Sequence, residues 1–437
     1  MAFSVPSPVS LSKLCMLLLP LFFFTCSSTI LNHVNNHSLS FPLTLLPIFT
    51  NKPSSSNSNT NLKLRTLSSS STTKSSFQYS NALVVSLPIG TPPQVQPMVL
   101  DTGSQLSWIQ CNNNKNRAPK KPSFDPALSS SFSTLPCSNP HCEPGVPDYT
   151  IPTTCDRNRH CHYSFFYADG TLAEGNLVTE KITLSPSQTT PPLILGCANT
   201  SSDGRGILGM NRGTFSFPSQ TKIAKFSYCV PLRQTRPAPG TFLIGQNPAS
   251  TRFRYVPMLT FGQGMPNLDP LAYTVPMQGI RIGGKRLNIP PAVFKPDAGG
   301  SGQTMIDSGS EFTFLVDAAY NKVREEIVRL VGPRLKKGYV YGDAADMCFD
   351  GNAIFIGRLI GDMVLEFEKG VEIVIPKERL LADVGGGVHC VSLGRSERLG
   401  GAANIIGNIH QQNHWVEFDL VNHRVGFGVA DCSRSGK

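Results

Sequence analysis

The amino-acid sequence predicts an all-β protein of two related lobes, and three observations carry that prediction. From residue 81 to about residue 245, short runs of Val, Ile, Leu, Phe and Thr alternate with Pro, Gly and Asn-Ser turns, with little helical periodicity. The 437-residue length is enough to bury two sizeable cores. A six-residue motif also occurs twice, about two hundred residues apart.

The repeated motif is an apolar strand end followed by an acid, a hydroxyl residue, a glycine and a second hydroxyl residue. It reads Val-Leu-Asp-Thr-Gly-Ser at residues 99–104 and Met-Ile-Asp-Ser-Gly-Ser at residues 305–310. At nearly matched distances, each copy is followed by two aliphatic residues and a glycine, at residues 207–209 and 405–407. This spacing indicates a duplicated lobe.

Two acids in duplicated loops match the chemistry of peptide hydrolysis by water, which needs one group to take a proton and another to give one. Two carboxylates about 3 Å apart cannot both ionise, so Asp101 and Asp307 would share a proton and titrate as a pair. Gly103 and Gly309 allow a tight turn and a close approach. The hydroxyl groups that can hold the charged form belong to Thr102, Ser104, Ser308 and Ser310. One Asp-Thr-Gly alone is also typical of a surface Asx turn, so the catalytic interpretation depends on the pair.

With these motifs the chain resembles the pepsin-like aspartic protease family from about residue 81 to its end, and most closely the plant nepenthesin-like, atypical branch. The supporting blocks are residues 84–94, the Trp-Ile-Gln-Cys sequence at 108–111, residues 167–171 and residues 415–419. The resemblance implies two related β-barrel lobes with the active cleft between them. It also implies an aspartic endopeptidase that acts on extended peptide or protein substrates at acidic pH, is inhibited by pepstatin-type compounds, needs no cofactor and is a monomer.

Residues 163–184 alternate in the manner of a β-hairpin whose turn includes Gly170 and Thr171. From the residues alone, a tyrosine beside such a turn is usually a half-buried amphipathic side chain. The resemblance makes the hairpin a flap that closes over bound peptide. Tyr167 would lie over the substrate, and Trp108 would direct its indole N–H toward the tyrosine oxygen.

The chain begins with a segment that predicts secretion. After Lys13, an apolar run at residues 14–26 ends in small polar residues. Because the run is shorter than the roughly 20 residues that cross a bilayer, it predicts a signal peptide at residues 1–28 rather than a membrane anchor. We expect the mature protein to lack a membrane span and to enter the secretory pathway. The extracellular space or apoplast is the expected destination, with retention in the endoplasmic reticulum as the alternative.

Residues 29–78 form a tail rich in Ser, Asn and Thr, and the first 78 residues contain no acid. Composition alone favours a disordered linker. The family resemblance implies a prosegment of a zymogen, in which Lys63, Arg65 or Lys74 approaches the acidic cleft before removal.

The formal net charge is +10, and five basic residues of the tail and signal peptide leave +5 for the rest of the chain. Such a small excess, without a basic run interleaved with aromatic residues, gives no case for nucleic acid as a partner.

Residues 246–264 are rich in Pro, Gly, Arg and aromatic residues and are the candidate connection between lobes. We therefore assign residues 79–250 to a first lobe with the flap and residues 251–437 to a second lobe. Within the second lobe, residues 317–330 are the clearest helical segment. Its periodicity predicts one apolar side and a structural role behind Asp307; that side comprises Ala318, Val323, Ile327 and Leu330.

Ten cysteines follow the predicted signal peptide, an even number that indicates up to five disulfides in a secreted chain. They are Cys111, Cys137, Cys142, Cys155, Cys161, Cys197, Cys229, Cys348, Cys390 and Cys432. The pairing stays open from the residues alone. The family habit would join Cys348 to Cys390 and Cys229 to Cys432.

Two metal-site alternatives are disfavoured, and no metal site is predicted. His160 and His162 lie beside closely spaced cysteines, but the paired Cys-x2-Cys spacing of zinc sites is missing. His410 and His414 are four residues apart, a spacing that suits a metal site on a helix, whereas strand and turn are expected there.

Asn199 begins an Asn-Thr-Ser acceptor sequence for glycosylation, and Asn36 begins another in the tail. A rival function is a catalytically silent relative that acts as a secreted protein-binding or enzyme-inhibitor module. Both acids, both glycines and all four hydroxyl residues of the motifs are present, which favours the protease.

Overall fold

The structure is a computed structural model that describes residues 38–47, 81–112, 123–142, 151–167, 171–200, 205–233, 238–262, 264–399 and 401–434. The predicted signal peptide, the tail residues Lys63, Arg65 and Lys74, and Asn36 lie outside the described residues. The described chain is mostly β, which confirms the predicted all-β class, although no closed barrel is found among the described strands.

The first half of the chain contains fourteen described strands and one short α-helix, α1, at Phe217–Thr221. The strands are β1 Leu39–Pro47, β2 Asn81–Ile89, β3 Gln94–Asp101, β4 Trp108–Gln110, β5 Ser133–Thr134, β6 Thr153–Cys155, β7 Cys161–Phe166, β8 Leu172–Glu180, β9 Thr183–Ser185, β10 Gln188–Thr189, β11 Leu193–Thr200, β12 Gly206–Gly209, β13 Lys225–Cys229 and β14 Gly240–Ile244.

The second half contains the remaining described strands and two α-helices, α2 at Asp317–Val331 and α3 at Ala353–Ile360. The strands are β15 Arg254–Pro257, β16 Met277–Ile282, β17 Lys285–Arg286, β18 Thr304–Ile306, β19 Thr313–Leu315, β20 Cys348–Asp350, β21 Met363–Phe367, β22 Glu372–Ile375, β23 Leu381–Gly385, β24 Val388–Val391, β25 Leu393–Arg395, β26 Asn404–Ile406, β27 His414–Asp419 and β28 Arg424–Val429.

A long sheet joins the two halves. Its order is β15-β28-β27-β13-β14-β1-β2-β3-β12-β4-β11-β8-β7-β6, with β5 beside β8. The crossing point is β13 against β27, where Phe226 pairs with Phe418 and their rings stack at 4.7 Å between centroids. The last strands of the chain are therefore built into the sheet that carries the first lobe.

The two motif loops sit in matching strand arrangements, as the duplication predicts. In the first, β3 runs parallel to β12, β12 is antiparallel to β4, and β4 is parallel to β11. In the second, β18 is parallel to β26, β26 is antiparallel to β19, and β19 is parallel to β25. The aliphatic-glycine blocks at residues 207–209 and 405–407 therefore each lie along the strand that pairs with the strand leading into their own motif.

Strand β1 lies inside the segment whose composition favours a linker. It pairs with β14 on one side and with β2 on the other. Phe41, Leu43 and Leu45 are buried in the main core, and the Arg205 guanidinium donates to the carbonyl oxygens of Leu46 and Pro47. Part of the low-complexity tail thus belongs to the folded body.

Helix α2 confirms the predicted helical segment but not its predicted apolar side. Val323 and Ile327 are buried, whereas Ala318 is exposed and Leu330 is half-buried. The buried stripe includes Glu326 instead, because its carboxylate is paired with Lys285 at 2.6 Å and with Arg329. A sequence periodicity cannot show that a charged residue has partners that allow its burial.

Five disulfides join the ten cysteines that lie among the described residues. Cys229 is bonded to Cys432 and Cys348 to Cys390, as the family resemblance implies. The other three pairs, which the sequence alone does not determine, are Cys111–Cys197, Cys137–Cys155 and Cys142–Cys161. Because all four cysteines beside His160 and His162 are in disulfides, they cannot serve as thiolate ligands, and the zinc interpretation there is wrong.

Candidate active site

The two motif acids face each other at the ends of β3 and β18. A Cβ placed on Gly103 would lie 3.0 Å from Cγ of Asp307, and one placed on Gly309 would lie 2.5 Å from Cγ of Asp101. A Cβ at Gly309 would overlap the Asp101 carboxyl, and one at Gly103 would be in tight contact with the Asp307 carboxyl. The glycines therefore allow each loop backbone to reach the acid of the other lobe.

Thr102 and Ser308 lock the two loops together by four crossed hydrogen bonds. The Thr102 N–H donates to Ser308 Oγ at 3.1 Å, and the Ser308 N–H donates to Thr102 Oγ1 at 2.9 Å. Thr102 Oγ1 also donates to the Ile306 carbonyl at 3.1 Å, and Ser308 Oγ donates to the Leu100 carbonyl at 2.7 Å. Since both side chains are fully buried, these bonds fix the relative position of the carboxylates.

Each carboxylate accepts an equivalent pair of hydrogen bonds from its own loop. Asp101 accepts from the Gly103 N–H at 2.8 Å and from the Ser104 hydroxyl. Asp307 accepts from the Gly309 N–H at 2.8 Å and from the Ser310 hydroxyl at 2.6 Å. The last hydroxyl residue of each motif thus orients the acid three residues before it.

The electrostatic environment raises the pKa of the Asp101 carboxyl far above its ordinary value. Burial is the largest cause, since Asp101 is only 7% exposed, and the negative charge of Asp307 is the second. The hydrogen bonds from Ser104 and Gly103 act in the opposite direction. Burial and like charge together favour one shared proton on the pair.

The predicted flap is a hairpin of β7 and β8, closed by the pairing of Phe166 with Leu172. The Trp108 indole N–H donates to the Tyr167 hydroxyl oxygen at 2.8 Å, and the Tyr167 N–H donates to the Thr171 carbonyl at 2.9 Å. Burial, followed by the charge of Asp101, raises the pKa of the Tyr167 hydroxyl. The tyrosine therefore lies close to the dyad. Gly170 lies outside the described residues.

Two asparagines support the dyad loops and were missed in the sequence. The Asn408 N–H donates to the Ser310 carbonyl at 2.8 Å, and its side chain donates to the Ser308 carbonyl at 3.0 Å. Asn211 makes the equivalent backbone bond, from its N–H to the Ser104 carbonyl at 3.0 Å. Asn408 directly follows the second aliphatic-glycine block, whereas one residue intervenes before Asn211. Because of this one-residue offset, the two asparagines do not stand out as a repeat in the sequence.

A further hydrogen-bond chain behind Asp307 was also missed. The Gln411 side chain donates to the carbonyl oxygens of Asp307 at 3.2 Å and Ile406 at 2.8 Å. Its amide oxygen accepts from the buried Tyr228 hydroxyl at 2.6 Å. Tyr228 lies on β13, in the sheet shared by both halves, so this chain connects the dyad to the central sheet. No sequence motif predicts this chain of hydrogen bonds, because its residues are far apart in the sequence.

His410 and His414 do not share a helix face. His410 lies in a 3-10 turn, where its Nδ1 contacts Thr313 Oγ1 at 2.8 Å, and His414 begins β27 with Nδ1 at 3.0 Å from the Gln412 carbonyl. Among the residues that the structure describes, no group of three or more His, Cys, Asp or Glu side chains is arranged to hold a metal ion.

Asn199 is exposed near the end of β11, and the Ser of its acceptor sequence lies outside the described residues. Within the described part of the chain, none of the helices combines the length and the apolar composition needed to cross a membrane.

The chain resembles known proteins over most of its length. Residues 83–246 match a domain family described as Xylanase inhibitor N-terminal, and residues 272–429 match one described as Xylanase inhibitor C-terminal. The aspartic proteinase PCS1 of Arabidopsis thaliana is 38% identical over 390 residues, which cover 84% of this chain and 85% of the relative. Aspartic proteinase nepenthesin-1 of Nepenthes gracilis is 33% identical, with 80% and 78% covered.

Solved structures show the same fold at lower identity. Basic 7S globulin from soybean superposes with a TM-score of 0.60 at 17% identity, covering 91% of this chain and 99% of that one. Conglutin gamma from lupine seeds gives a TM-score of 0.59 at 17% identity, covering 92% and 97%. On the extent of the sequence matches, the chain belongs to the pepsin-like aspartic protease family, in the branch that contains PCS1 and the nepenthesins.

Proposed function

We propose that the protein is an aspartic endopeptidase that hydrolyses peptide bonds at acidic pH. The observation that carries the proposal is the dyad, in which Asp101 and Asp307 lie on loops locked by Thr102 and Ser308. The names of the curated relatives support the same activity. No cofactor is required, because two carboxyl groups supply both the acid and the base.

The two acids differ in burial, and the roles that we propose for them are based on this difference. Asp101 is 7% exposed and Asp307 is half-buried, so the shared proton is favoured on Asp101 in the free protein. Asp307, as the carboxylate, takes a proton from a water molecule held between the two acids as the water attacks the scissile carbonyl carbon. Asp101 gives its proton to the carbonyl oxygen, and a neutral diol forms.

Collapse of the diol completes the reaction. Asp307 returns its proton to the peptide nitrogen while Asp101 recovers one from the diol hydroxyl, so the C–N bond breaks to give an amine and a carboxylic acid. The proton count of the dyad is then restored for the next turnover. The crossed hydroxyl bonds keep both acids in position throughout.

The substrate is an extended peptide or protein segment lying between the dyad and the flap. Tyr167 is half-buried and held by Trp108, which gives the flap a fixed side chain facing the cleft. Several residues of the substrate would be covered on each side of the scissile bond. We expect pepstatin-type compounds to bind the same cleft, and we expect a monomer.

Processing and localisation are part of the proposal. Five disulfides favour folding in an oxidising compartment, which supports entry into the secretory pathway with the extracellular space or apoplast as destination. Residues 1–28 would be removed as a signal peptide, and Asn199 is the candidate glycosylation site in the mature chain. Activation of a zymogen would involve cleavage within the basic tail.

The descriptions of the matching domain families favour a second candidate, an inhibitor of a polysaccharide-degrading enzyme. An inhibitor needs the shell but not the dyad. The intact hydrogen-bond set around both acids favours the protease, because a binding module gains nothing from two like charges held together.

One experiment distinguishes the two functions. Disulfide-intact protein, Asp101→Asn and Asp307→Asn are assayed for peptide cleavage with and without pepstatin, and for inhibition of a xylanase. The proposal expects pepstatin-sensitive cleavage by the wild type alone. Xylanase inhibition that persists in both variants, without cleavage by folded wild type, would establish the binding module instead.

A further inference from the structure

A third carboxylate lies beside the dyad on a loop that neither motif includes. Asp269 lies four residues before Tyr273. The Tyr273 carbonyl accepts a hydrogen bond at 3.1 Å from the N–H of Ile306, the residue before Asp307. The backbone of Asp269 is held by the buried Gln303 side chain, which accepts from the Asp269 N–H at 3.0 Å and donates to its carbonyl at 2.7 Å. Asp269 is therefore fixed to the strand that leads into Asp307.

The first lobe holds the same loop from the other side. The Arg212 N–H donates to the Leu271 carbonyl at 3.1 Å, and its guanidinium donates to the Pro270 carbonyl at 3.4 Å. The Tyr273 hydroxyl also donates to the Met210 carbonyl at 2.6 Å. Arg212 and Met210 follow β12, the strand beside the one that ends in Asp101. The loop thus bridges the two lobes next to the dyad.

The Asp269 carboxyl is half-buried. Oδ1 accepts from the Leu271 N–H at 2.8 Å, and the Ala272 N–H also stabilises the charged form of the carboxyl. Burial is the largest cause of a raised pKa for this carboxyl, the charge of Asp307 raises the pKa further, and the charge of Arg212 lowers it. The carboxylate therefore interacts electrostatically with the dyad.

We propose that Asp269 is a specificity-determining residue, which binds a Lys or Arg side chain of the substrate on the Asp307 side of the scissile bond. This inference rests on the proposed protease function. An extended peptide advances about 3.3 Å per residue, so a side chain one or two residues from the scissile bond reaches a carboxylate next to the dyad. A cation there offsets the like charges of Asp269 and Asp307 and can donate a charge-assisted hydrogen bond to the Asp269 carboxylate. The positive charge of Arg212 disfavours a substrate cation on the side of the cleft where Arg212 lies.

The test compares matched peptides that differ only by Lys or Gln at each position flanking the scissile bond. For the position that contacts Asp269, wild type prefers Lys, and Asp269→Asn lowers the ratio of kcat/KM for Lys over Gln about tenfold. Asparagine keeps an oxygen for the Leu271 N–H, so the loop is preserved. Asp269→Glu, which restores the charge, should recover part of the ratio, and Arg212→Gln should raise it.

The preference has a pH signature. Because the carboxyl is charged only above its raised pKa, the Lys over Gln ratio should increase with rising pH, and salt should reduce it. Equal effects of Asp269→Asn on both peptides at every position, or no effect, would overturn the assignment. Cleavage of the Gln peptides by wild type but not by Asp101→Asn tests the proposed protease function independently. A failure of the Asp269 proposal can therefore be distinguished from a failure of the protease proposal.

Discussion

Thr102 and Ser308 exchange hydrogen bonds across the cleft, with the N–H of each donating to the hydroxyl of the other at 3.1 and 2.9 Å. The two residues are 206 positions apart and come from the two copies of one motif. The bonds make the dyad a property of both lobes together, since neither loop can shift without breaking contacts to the other.

Loss of the Ser308 hydroxyl should therefore reduce stability and activity together. Ser308→Ala leaves the buried Thr102 N–H without an acceptor, and we expect a loss of about 1–3 kcal/mol of unfolding free energy. Ser308→Thr keeps the hydroxyl and is the control. Thermal unfolding and peptide cleavage are measured on both variants. Unchanged stability and kcat in Ser308→Ala would show that the crossed bonds do not position the dyad.

Gly309→Ala should strongly reduce turnover without unfolding the protein. The new Cβ would lie 2.5 Å from Cγ of Asp101, so one acid must move. A shift of that size in a catalytic group costs about a hundredfold or more in kcat. Gly262→Ala is the matched control, because a Cβ there would have no neighbour within 4 Å in the described part of the chain. Full activity of Gly309→Ala, with circular dichroism unchanged, would contradict the close approach of the two loops.

Buried His410 should make the protein less stable as the pH falls. Burial, then the charges of Arg233 and Arg379, lower its pKa from 6.5 to about 3. In the folded state the imidazole stays neutral, while in the unfolded state it gains a proton below pH 6.5. Stability is therefore lost as the pH falls from 6.5 toward 3, at roughly 1.4 kcal/mol per pH unit.

The measurement is the difference in unfolding temperature between wild type and His410→Asn across this pH range. Asparagine places an amide near the position of Nδ1 beside Thr313. We expect the variant to be less stable at pH 7 but to lose less stability on acidification. A constant difference between the two proteins at all pH values would show that His410 does not contribute to acid sensitivity.

Strand β1 should remain with the folded body after cleavage between residues 47 and 81. It is paired on both edges and buries Leu43 and Leu45, so its release would expose the edges of β2 and β14. A protease site inserted between these residues allows the test. The excised β1 peptide should co-elute under native conditions and separate in denaturant. Separation of the β1 peptide from the rest of the protein on native gel filtration would show that β1 can leave the folded body.

Much of the site could be predicted from the sequence, because its information is local and repeated. The two motifs, the later aliphatic-glycine blocks and the flap hairpin each lie within a few consecutive residues. Their spacing leads to the paired parallel strands β3–β12 and β18–β26 that the structure contains. The cysteine count likewise indicated five disulfides, although only two pairings were expected from the family.

The features that were missed depend on contacts between distant residues. Strand β1 does alternate, with Phe41, Leu43 and Leu45 buried, but its partner β14 lies about two hundred residues away. Asp269 belongs to no motif. Its place beside Asp307 follows from its hydrogen bond to the Gln303 side chain and from the backbone hydrogen bond between Ile306 and Tyr273. Such positions are set by tertiary structure and leave no periodic signal.

The most direct test of the central claim is the pH dependence of kcat/KM for peptide cleavage. A shared proton requires one acid charged and one neutral, so the profile should be bell-shaped with an acidic optimum and two apparent pKa values that belong to the pair. Asp101→Asn should remove the activity at every pH. Activity that persists in folded Asp101→Asn, or a profile that rises monotonically into the alkaline range, would contradict the account.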